Sequence, residues 1–291
     1  MSSDKAQVDS VSGQTTTGHE WDGIRELNTP LPRWWLWLFY LTIAFAFVYW
    51  IVYPAWPLVS GYTSGVLGYT NRGRVAEDVA AGQAARMQFA AGLEKASLAE
   101  IAANPKLTEI ALAEGKAAFG DNCAPCHGSG GQGQKGYPNL TAGRWLWGGT
   151  FDQIQTTITH GIRADDSDTH TSAMPAFGKD GILKPEEIRE AANYVRTLDG
   201  LEPEQGVDVA AGKKVFADNC AACHGDDAKG NIEMGAPNLT TKVWQYGSDI
   251  NDLIYTISNA RNSVMPAWGK RLDPVTIKSL AVYVHSLGGG T

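Results

Sequence analysis

The longest hydrophobic stretch of the sequence runs from Trp34 to Tyr53 without a charged side chain. As a helix, these 20 residues would span about 30 Å, the thickness of the hydrocarbon core of a bilayer. Tryptophan and tyrosine are concentrated at both ends, as in helices whose aromatic side chains lie at the two membrane interfaces. Pro54 and Pro57 would end the helix where it leaves the lipid. The pattern predicts one membrane-spanning helix with its exit, residues 34–59.

The segment in front of this helix is polar and shows no hydrophobic periodicity. We expect residues 1–20 of the segment 1–33 to be disordered. A cleaved signal peptide does not fit, because the polar leader and the apolar run are both too long and no small-residue cleavage site follows. The helix is therefore predicted to be an uncleaved anchor.

Helical patterns interrupted by proline follow the anchor. Residues 73–112 are rich in Ala, Glu, Arg and Leu and are predicted to be helical, with a break and a new start at Pro105. We expect the linker 60–112 to be either a spacer packed on the next domain or a neighbouring subunit, or a solvated helical connection. Two amphipathic helices that begin with proline are predicted further on, at Pro185–Leu198 and Pro274–Leu287.

These two helices close two related repeats. Each repeat contains a helix with Gly and Phe, a Cys-x-x-Cys-His run, a Pro-Asn-Leu-Thr loop, a tryptophan and a Met-Pro-Ala-aromatic-Gly loop. The offset between equivalent positions falls from 99 at the tryptophans to 91 at the methionines, which places an eight-residue insertion near residues 164–171. The sequence thus predicts two similar domains, 113–200 and 201–291. Within each domain we expect the first helix to pack on the last. The residues predicted to make these contacts are Gly115, Phe119 and Tyr194 in one domain, and Gly212, Phe216 and Tyr283 in the other.

The two Cys-x-x-Cys-His runs use all four cysteines of the 291-residue chain. In such a run the thiols add across the vinyl groups of a porphyrin, and the adjacent histidine reaches one face of the iron. Disulfides need no histidine after each pair, zinc ribbons need closer pairs, and a thioredoxin-type motif needs a βαβ pattern. The sequence therefore predicts two covalently bound haems c. The predicted attachment residues are Cys123 and Cys126 in the first repeat, and Cys220 and Cys223 in the second.

The iron ligands follow from the same repeats. His127 and His224 are the predicted proximal ligands, and Met174 and Met265 are the predicted ligands on the opposite faces, because they occupy equivalent loops fixed by proline and glycine. A thioether ligand raises the reduction potential, and six-coordinate iron has no open position for dioxygen. This ligand set predicts electron transfer rather than catalysis at the haems.

Other side chains compete for the ligand role or support it. His160 and His170 have no equivalent in the second repeat, and Met234 follows His224 by only ten residues. The carbonyls of Pro138 and Pro237 are predicted to accept a hydrogen bond from the proximal histidines. Candidates for contact with haem propionates are Arg144, Trp145, Lys242 and Trp244.

Charge limits the partners and leaves the orientation of the anchor open. The formal net charge of −7 argues against nucleic acid as a partner. Arginines flank the anchor in nearly equal number on both sides, so the positive-inside rule does not orient it. Because covalent haem attachment takes place on the periplasmic side of the bacterial inner membrane, we expect periplasmic haem domains and a cytoplasmic N-terminal segment.

A single N-terminal anchor followed by two haem domains resembles the di-haem cytochrome c subunit, CcoP or FixP, of cbb3-type cytochrome c oxidases. The resemblance covers the chain from about Leu31 onward. It rests on Leu-Pro-Arg-Trp-Trp before the span, Tyr-Pro-Ala-Trp-Pro after it, and both haem motifs with their Met-Pro-Ala loops. The fold class it implies is all-α: one N-terminal transmembrane helix followed by two class I cytochrome c domains in tandem.

The resemblance also implies a function. Such a subunit takes electrons from a periplasmic cytochrome c and passes them through its two haems and a mono-haem subunit to a catalytic subunit with b-type haems and copper. That enzyme reduces dioxygen to water and conserves the energy as a proton gradient, so this chain is expected to contain no catalytic residue. The alternatives are the cytochrome subunit of a membrane dehydrogenase, a stand-alone anchored electron shuttle, and a di-haem peroxidase, which the two methionine loops argue against.

Overall fold

The computed structural model describes residues 6–288. The chain divides into two compact units, of which the first ends at Ala84 and the second begins at Ala85. Helices dominate, and among the described residues the strands form two small two-stranded sheets. The predicted all-α architecture with one N-terminal apolar helix is confirmed.

The first unit contains a β-hairpin in the segment that was expected to be disordered. Strands β1 (Thr16–Trp21) and β2 (Ile24–Leu27) pair antiparallel around Asp22 and Gly23, whose φ angles are 51° and 83°. Positive φ at both central residues defines a tight hairpin turn for which Asp-Gly is a preferred pair. The expectation of disorder is therefore wrong for residues 16–20, while residues 1–5 lie outside the described residues. The hairpin was not predicted because its strands are short and lack the alternation of hydrophobic and polar residues that indicates a strand.

Helix α1 (Arg33–Val52) coincides with the predicted membrane-spanning segment. None of its residues is buried against the described chain, and within residues 6–288 it is the one helix long and apolar enough to cross a membrane. It ends where Pro54 can no longer supply a backbone N–H. Two short strands, β3 (Pro57–Leu58) and β4 (Gly61–Tyr62), then reverse the chain.

The predicted helical linker consists of three helices, α2 (Asn71–Lys95), α3 (Leu98–Ala103) and α4 (Pro105–Asn122). Ser97 and Glu100 form a capping box at the start of α3, and the Asn104 side chain accepts hydrogen bonds from the first N–H groups of α4. The predicted break at Pro105 is confirmed. Helix α4 continues past residue 112, the predicted end of the linker, up to Cys123.

Seven further helices follow α4 and complete the two repeats: α5 (Ala124–His127), α6 (Phe151–His160), α7 (Pro185–Leu198), α8 (Val209–Asn219), α9 (Ala221–His224), α10 (Ile250–Asn259) and α11 (Pro274–Gly288). Helix α7 has the predicted bounds, and α11 extends one residue beyond its predicted end. The domain limits at 112/113 and 200/201 stay a prediction.

The first and last helices of the repeats pair across the repeats. Helix α4 packs on α11, and α7 packs on α8. A Cβ atom on Gly115 would collide with the Ser279 carbonyl and lie 2.7 Å from the Cβ of Tyr283 on α11. A Cβ atom on Gly212 would collide in the same way with the Glu190 carbonyl on α7. Only glycine permits these two close approaches.

Aromatic contacts repeat the same crossed pairing. The ring centroids of Phe119 and Tyr283 are 5.4 Å apart, and those of Tyr194 and Phe216 are also 5.4 Å apart. The predicted contact of glycine and phenylalanine with a tyrosine helix therefore forms, but the expectation that it forms within each repeat is wrong. Equivalent helices carry nearly the same pattern, so the sequence does not distinguish the two pairings. The short connection 199–208 favours the pairing of α7 with α8, because closing a short loop costs little entropy.

The end of α2 belongs to the core of the second unit. Ala90 and Leu93 are buried there. Lys278 on α11 donates hydrogen bonds to the carbonyls of Leu93, Glu94 and Ala96, the groups that the end of a helix leaves without intrahelical partners. From residue 85 onward the linker is therefore a packed spacer rather than a solvated connection.

We expect Gly115→Ala to destabilise the protein by about 1–3 kcal/mol, because the added methyl group meets backbone atoms of α11 that cannot move aside. Gly120→Ala on the same helix is the matched control: its Cβ meets nothing within 4 Å. The control should raise stability by about 0.5–1 kcal/mol, since alanine favours the helix. Urea unfolding of the haem-loaded protein, followed by circular dichroism, measures both changes. Equal effects of the two substitutions would contradict the close approach.

Candidate haem sites

Each cysteine–histidine run forms one helical turn at the end of a longer helix. Cys123 closes α4, and the N–H of His127 donates to the Cys123 carbonyl at 2.9 Å. In the second repeat the N–H of His224 donates to the Cys220 carbonyl at 3.0 Å. Residues three and four positions apart lie on one face of a helical turn. The turn therefore brings two thiols and one imidazole of each run to the same face.

The cysteines are in the form that haem attachment requires. All four are free thiols. Burial, with a smaller contribution from the neighbouring cysteine of the same run, raises the pKa of Cys123 and of Cys220 to about 11. Both are therefore neutral at neutral pH, and the thioether that each would form with a porphyrin is neutral as well.

A proline carbonyl fixes each imidazole. The Nδ1–H of His127 donates to the Pro138 carbonyl at 3.0 Å, and that of His224 donates to the Pro237 carbonyl at 2.9 Å. Burial lowers the pKa of both histidines and outweighs the hydrogen bond, which raises it. A neutral imidazole with Nδ1–H engaged presents Nε2 as an acceptor, the form that binds a metal.

The Pro-Asn-Leu-Thr sequence holds the proline carbonyl in place. The Asn139 side chain accepts hydrogen bonds from the backbone N–H and the hydroxyl of Thr141, at 2.8 and 2.7 Å. Asn238 and Thr240 repeat both bonds at 2.8 Å in the second copy. Such asparagine-centred turns are rigid local structures. The motif therefore sets the orientation of the histidine without contacting it through a side chain.

The methionine loops lie against the haem motif of the other repeat. Met265, Cys123 and Ala124 all pack against the core that contains Phe119. Met174 and Trp244 both pack against the core that contains Phe177, and Trp244 also packs, as Cys220 does, against the core that contains Phe216. Each methionine thus belongs to a core that also includes residues of the other repeat.

Backbone hydrogen bonds fix this exchange. Phe177 and Gly178, which follow Met174, donate at 3.1 Å to carbonyls at the end of α10 in the second repeat. Trp268 and Gly269, which follow Met265, donate at 3.1 and 2.9 Å to carbonyls at the end of α6 in the first repeat. Equivalent positions make these hydrogen bonds from the first repeat to the second and from the second to the first. The two repeats therefore exchange their methionine loops in an approximately twofold symmetric way.

The competing ligands have other roles. His160 Nδ1 lies 2.8 Å from an oxygen of Asp166, and His170 Nε2 lies 3.1 Å from the Thr157 hydroxyl. The His170 ring also stacks on Trp147 with a centroid distance of 4.1 Å. Both histidines therefore fasten the inserted segment to α6 and its surroundings. Met234 is 38% exposed, and no core cluster includes it among the described residues.

Two buried nitrogen atoms fit the acidic groups of a haem. Trp145 Nε1 and Arg196 Nε are buried and have no hydrogen-bond partner in the part of the chain that the structure describes. A buried donor without a partner costs about 1–3 kcal/mol, and a haem propionate would remove that cost. Trp145 packs against the core that Cys123 also contacts, so a donor of this kind lies at the first site. Arg196 follows Val195 on α7, and its charge helps to lower the pKa of Glu204.

The structure supports only one of the four residues that the sequence suggested for contact with haem propionates. Trp145 fits the role, while Trp244 Nε1 already donates to Asp199 at 2.8 Å. Arg144 and Lys242 are exposed. The sequence analysis did not predict that Arg196 has a buried nitrogen without a partner. Its position beside the buried residues of an amphipathic helix could have indicated this. Free thiol pairs, neutral histidines, nearby methionines and buried donors together fit a haem c at both sites.

Comparison with known proteins gives three family matches. Residues 13–60 match the N-terminal domain of cytochrome oxidase-cbb3, FixP; residues 112–199 match cytochrome c; and residues 207–284 match cytochrome c oxidase, cbb3-type, subunit III. The cbb3-type cytochrome c oxidase subunit FixP of Bradyrhizobium diazoefficiens is 61% identical over 287 residues, which cover 99% of each chain. This chain belongs to the FixP/CcoP family. The FixP subunit of Azorhizobium caulinodans is 56% identical over 98% of this chain and 97% of its own length. The CcoP subunit of Azospirillum brasilense is 51% identical over 98% of both chains.

Membership of the FixP/CcoP family decides between the functional alternatives. The chain is a cytochrome c electron-transfer subunit of a cbb3-type oxidase, as the resemblance implied. The dehydrogenase subunit and the stand-alone shuttle are thereby set aside. The family also agrees with an inner-membrane anchor formed by α1.

Proposed function

We propose that this oxidase subunit binds two haems c and that residues of both repeats hold each of them. The proposed attachment residues are Cys123 and Cys126 for one haem, and Cys220 and Cys223 for the other. The proposed iron ligands are His127 with Met265 for the first haem, and His224 with Met174 for the second.

The observation that supports this assignment is the exchange of the methionine loops. Ligands on opposite faces of one iron must come from segments that line the same cavity. Met265 shares a core with Cys123, and its backbone N–H and carbonyl both pair with Ile162 at 3.0 Å, just after α6. Met174 and Trp244 pack against the same core, and Trp244 also packs against the neighbouring core that Cys220 contacts. Pairing within a repeat would require each methionine to leave these contacts.

The residues of the chain tune the sites for electron transfer. A bound haem c with histidine and methionine ligands supplies an iron that alternates between the ferric and ferrous states. The Pro138 and Pro237 carbonyls orient the histidines, and burial favours their neutral form. Trp145 and Arg196 are the proposed donors to the propionates. Met174 and Met265 would supply the second protein ligand of each iron, which would leave no ligand position open for dioxygen.

The remaining partners follow from the oxidase. We propose that electrons enter from a periplasmic cytochrome c and leave through the mono-haem subunit toward the catalytic haem-copper subunit. The proposed topology has residues 1–33 in the cytoplasm and both haem domains in the periplasm, because haem is attached covalently on that side. The support for this part is the family membership and the single apolar helix Arg33–Val52 of the described chain.

Covalent haem content tests the number of haems. Intact-mass measurement of the protein purified from membranes should show the mass of the chain plus two haems. Cys220→Ala combined with Cys223→Ala should remove one haem and leave the other attached at Cys123 and Cys126. A wild-type protein that carries a single haem would contradict the proposal.

Methionine substitution tests the exchanged ligands. We expect Met265→Ala to lower the potential of one haem and to let its ferrous form bind carbon monoxide, because the iron loses its thioether ligand. Proton NMR should show contacts between the altered haem and the ring of Phe119, which lies in the same core. Met174→Ala should alter the haem that contacts the ring of Phe216.

Met234→Ala is the matched control, since this methionine of the second repeat is more exposed than Met174 or Met265 and packs on none of the described cores. It should leave both potentials and the carbon monoxide reaction unchanged. If the haem altered by Met265→Ala contacts Phe216 instead of Phe119, the ligands come from one repeat and the exchange is wrong.

Reporter fusions test the topology. Alkaline phosphatase is active only after export, and a cytoplasmic fluorescent protein is bright only inside the cell. We expect phosphatase activity for fusions after residue 288 and fluorescence for fusions before Arg33. The reverse pattern would contradict the proposed orientation while leaving the haem assignment intact.

A further inference from the structure

Arg163 contacts both methionine loops at once. Its Nη1 donates to the carbonyl of Ser172 at 2.7 Å, while its Nε and Nη2 both donate to the carbonyl of Ser263, at 2.8 and 2.6 Å. Ser172 lies two residues before Met174, and Ser263 lies two residues before Met265. One guanidinium group therefore joins equivalent points of the two segments that supply the proposed ligands.

The backbone of Arg163 is held in an unusual conformation. Its φ angle is 50°, in the left-handed region that residues with a Cβ atom seldom adopt. The Arg163 N–H donates to the carbonyl of His170 at 2.7 Å, and the preceding Ile162 pairs with Met265. The inserted segment thus lies on one side of Ile162 and the Met265 loop on the other, which fixes the backbone from which the arginine side chain starts.

The charge of Arg163 is directed at backbone carbonyls. The side chain is half-buried, and no carboxylate lies within ion-pair distance of it among residues 6–288. Hydrogen bonds from a charged donor are stronger than those from a neutral one. The planar guanidinium holds its donors in fixed directions toward the two carbonyls, whereas the donors of an ammonium group rotate on a flexible stem.

A role confined to holding the insertion does not explain these contacts. The insertion has fastenings of its own, from His160 to Asp166 and from His170 to Thr157. All three hydrogen bonds of the Arg163 side chain go to the residues in front of the two methionines. The equivalent position in the second repeat is Asn262, and its side chain contacts Met174 alone, with hydrogen bonds of 3.2 and 3.3 Å to the Met174 backbone.

We propose that Arg163 is a positioning residue shared by both haems, which holds the Met174 and Met265 loops together and thereby couples the two axial ligations. This inference rests on the proposed ligand pairs. A change at Arg163 acts on both irons, whereas a change at Asn262 acts on the iron that Met174 binds.

Three variants of the haem-loaded full-length protein test the proposal. Arg163→Gln removes the charge and the planar fork of donors, Arg163→Lys keeps the charge but loses the fixed directions of the donors, and Asn262→Ala removes the hydrogen bonds to the Met174 loop. The readouts are the methionine–iron charge-transfer absorption of the ferric haems, carbon monoxide binding by the ferrous haems, and the two reduction potentials. Haem content by mass and helix content by circular dichroism control for folding.

We expect Arg163→Gln to reduce the charge-transfer absorption of both haems and to raise the carbon monoxide-binding fraction of each by about tenfold, as the loss of a charged hydrogen bond allows. Arg163→Lys should still show a loss, because its charge alone cannot hold both loops. Asn262→Ala should affect one haem. If Arg163→Gln loses its haems, the test uses Arg163→Lys and Asn262→Ala instead. The proposal then requires that Arg163→Lys alters both haems and that Asn262→Ala alters one.

Other outcomes separate this inference from the ligand assignment. If Arg163→Lys matches the wild type, or Arg163→Gln alters one haem or neither, the shared positioning role is wrong. If the methionine variants bind carbon monoxide while both arginine variants do not, the ligand pairs stand and only this inference fails. If the methionine variants leave both haems unchanged, the ligand pairs themselves fail.

Discussion

The close packing of α4 on α11 and of α7 on α8 is the constraint on which the haem sites depend. At each crossing a glycine lets one backbone approach the other, and a phenylalanine and a tyrosine pack beside it. Because these helices come from different repeats, the approach commits the methionine loops to the opposite site as well. The loops then add hydrogen bonds at the ends of α6 and α10. The position of each proposed ligand is therefore decided by helix contact rather than by order along the chain.

Local features could be predicted from the sequence, because short-range chemistry determines them. The anchor, the break at Pro105, the start of α7 and α11 at proline, and the two cysteine–histidine runs all depend on neighbouring residues. The hairpin around Asp22 could not be predicted with equal ease, since its strands carry no hydrophobic alternation. Its turn chemistry was visible, and turn chemistry alone does not establish that strands flank it.

The pairing of the repeats could not be read from the sequence for a different reason. Two copies with the same pattern offer two ways to combine first and last helices, and both bury similar surfaces. What separates them is chain connectivity: the segment between Leu198 and Val209 is short, so consecutive helices pack together. Arg163 and Arg196 were missed because their roles depend on neighbours from distant parts of the chain. The eight-residue insertion was the signal nearest to Arg163.

The exchanged arrangement also sets an order of assembly. The core beside Cys123 includes α11, the last described helix, so it is incomplete until residues 265–288 have been synthesised. The core beside Cys220 takes α7 from the preceding repeat, and the Met174 loop is held by the end of α10, so this site can be completed first. Contacts between segments so distant in sequence form slowly. The repeat that is synthesised first therefore finishes its haem site last, and neither repeat is an independent folding unit.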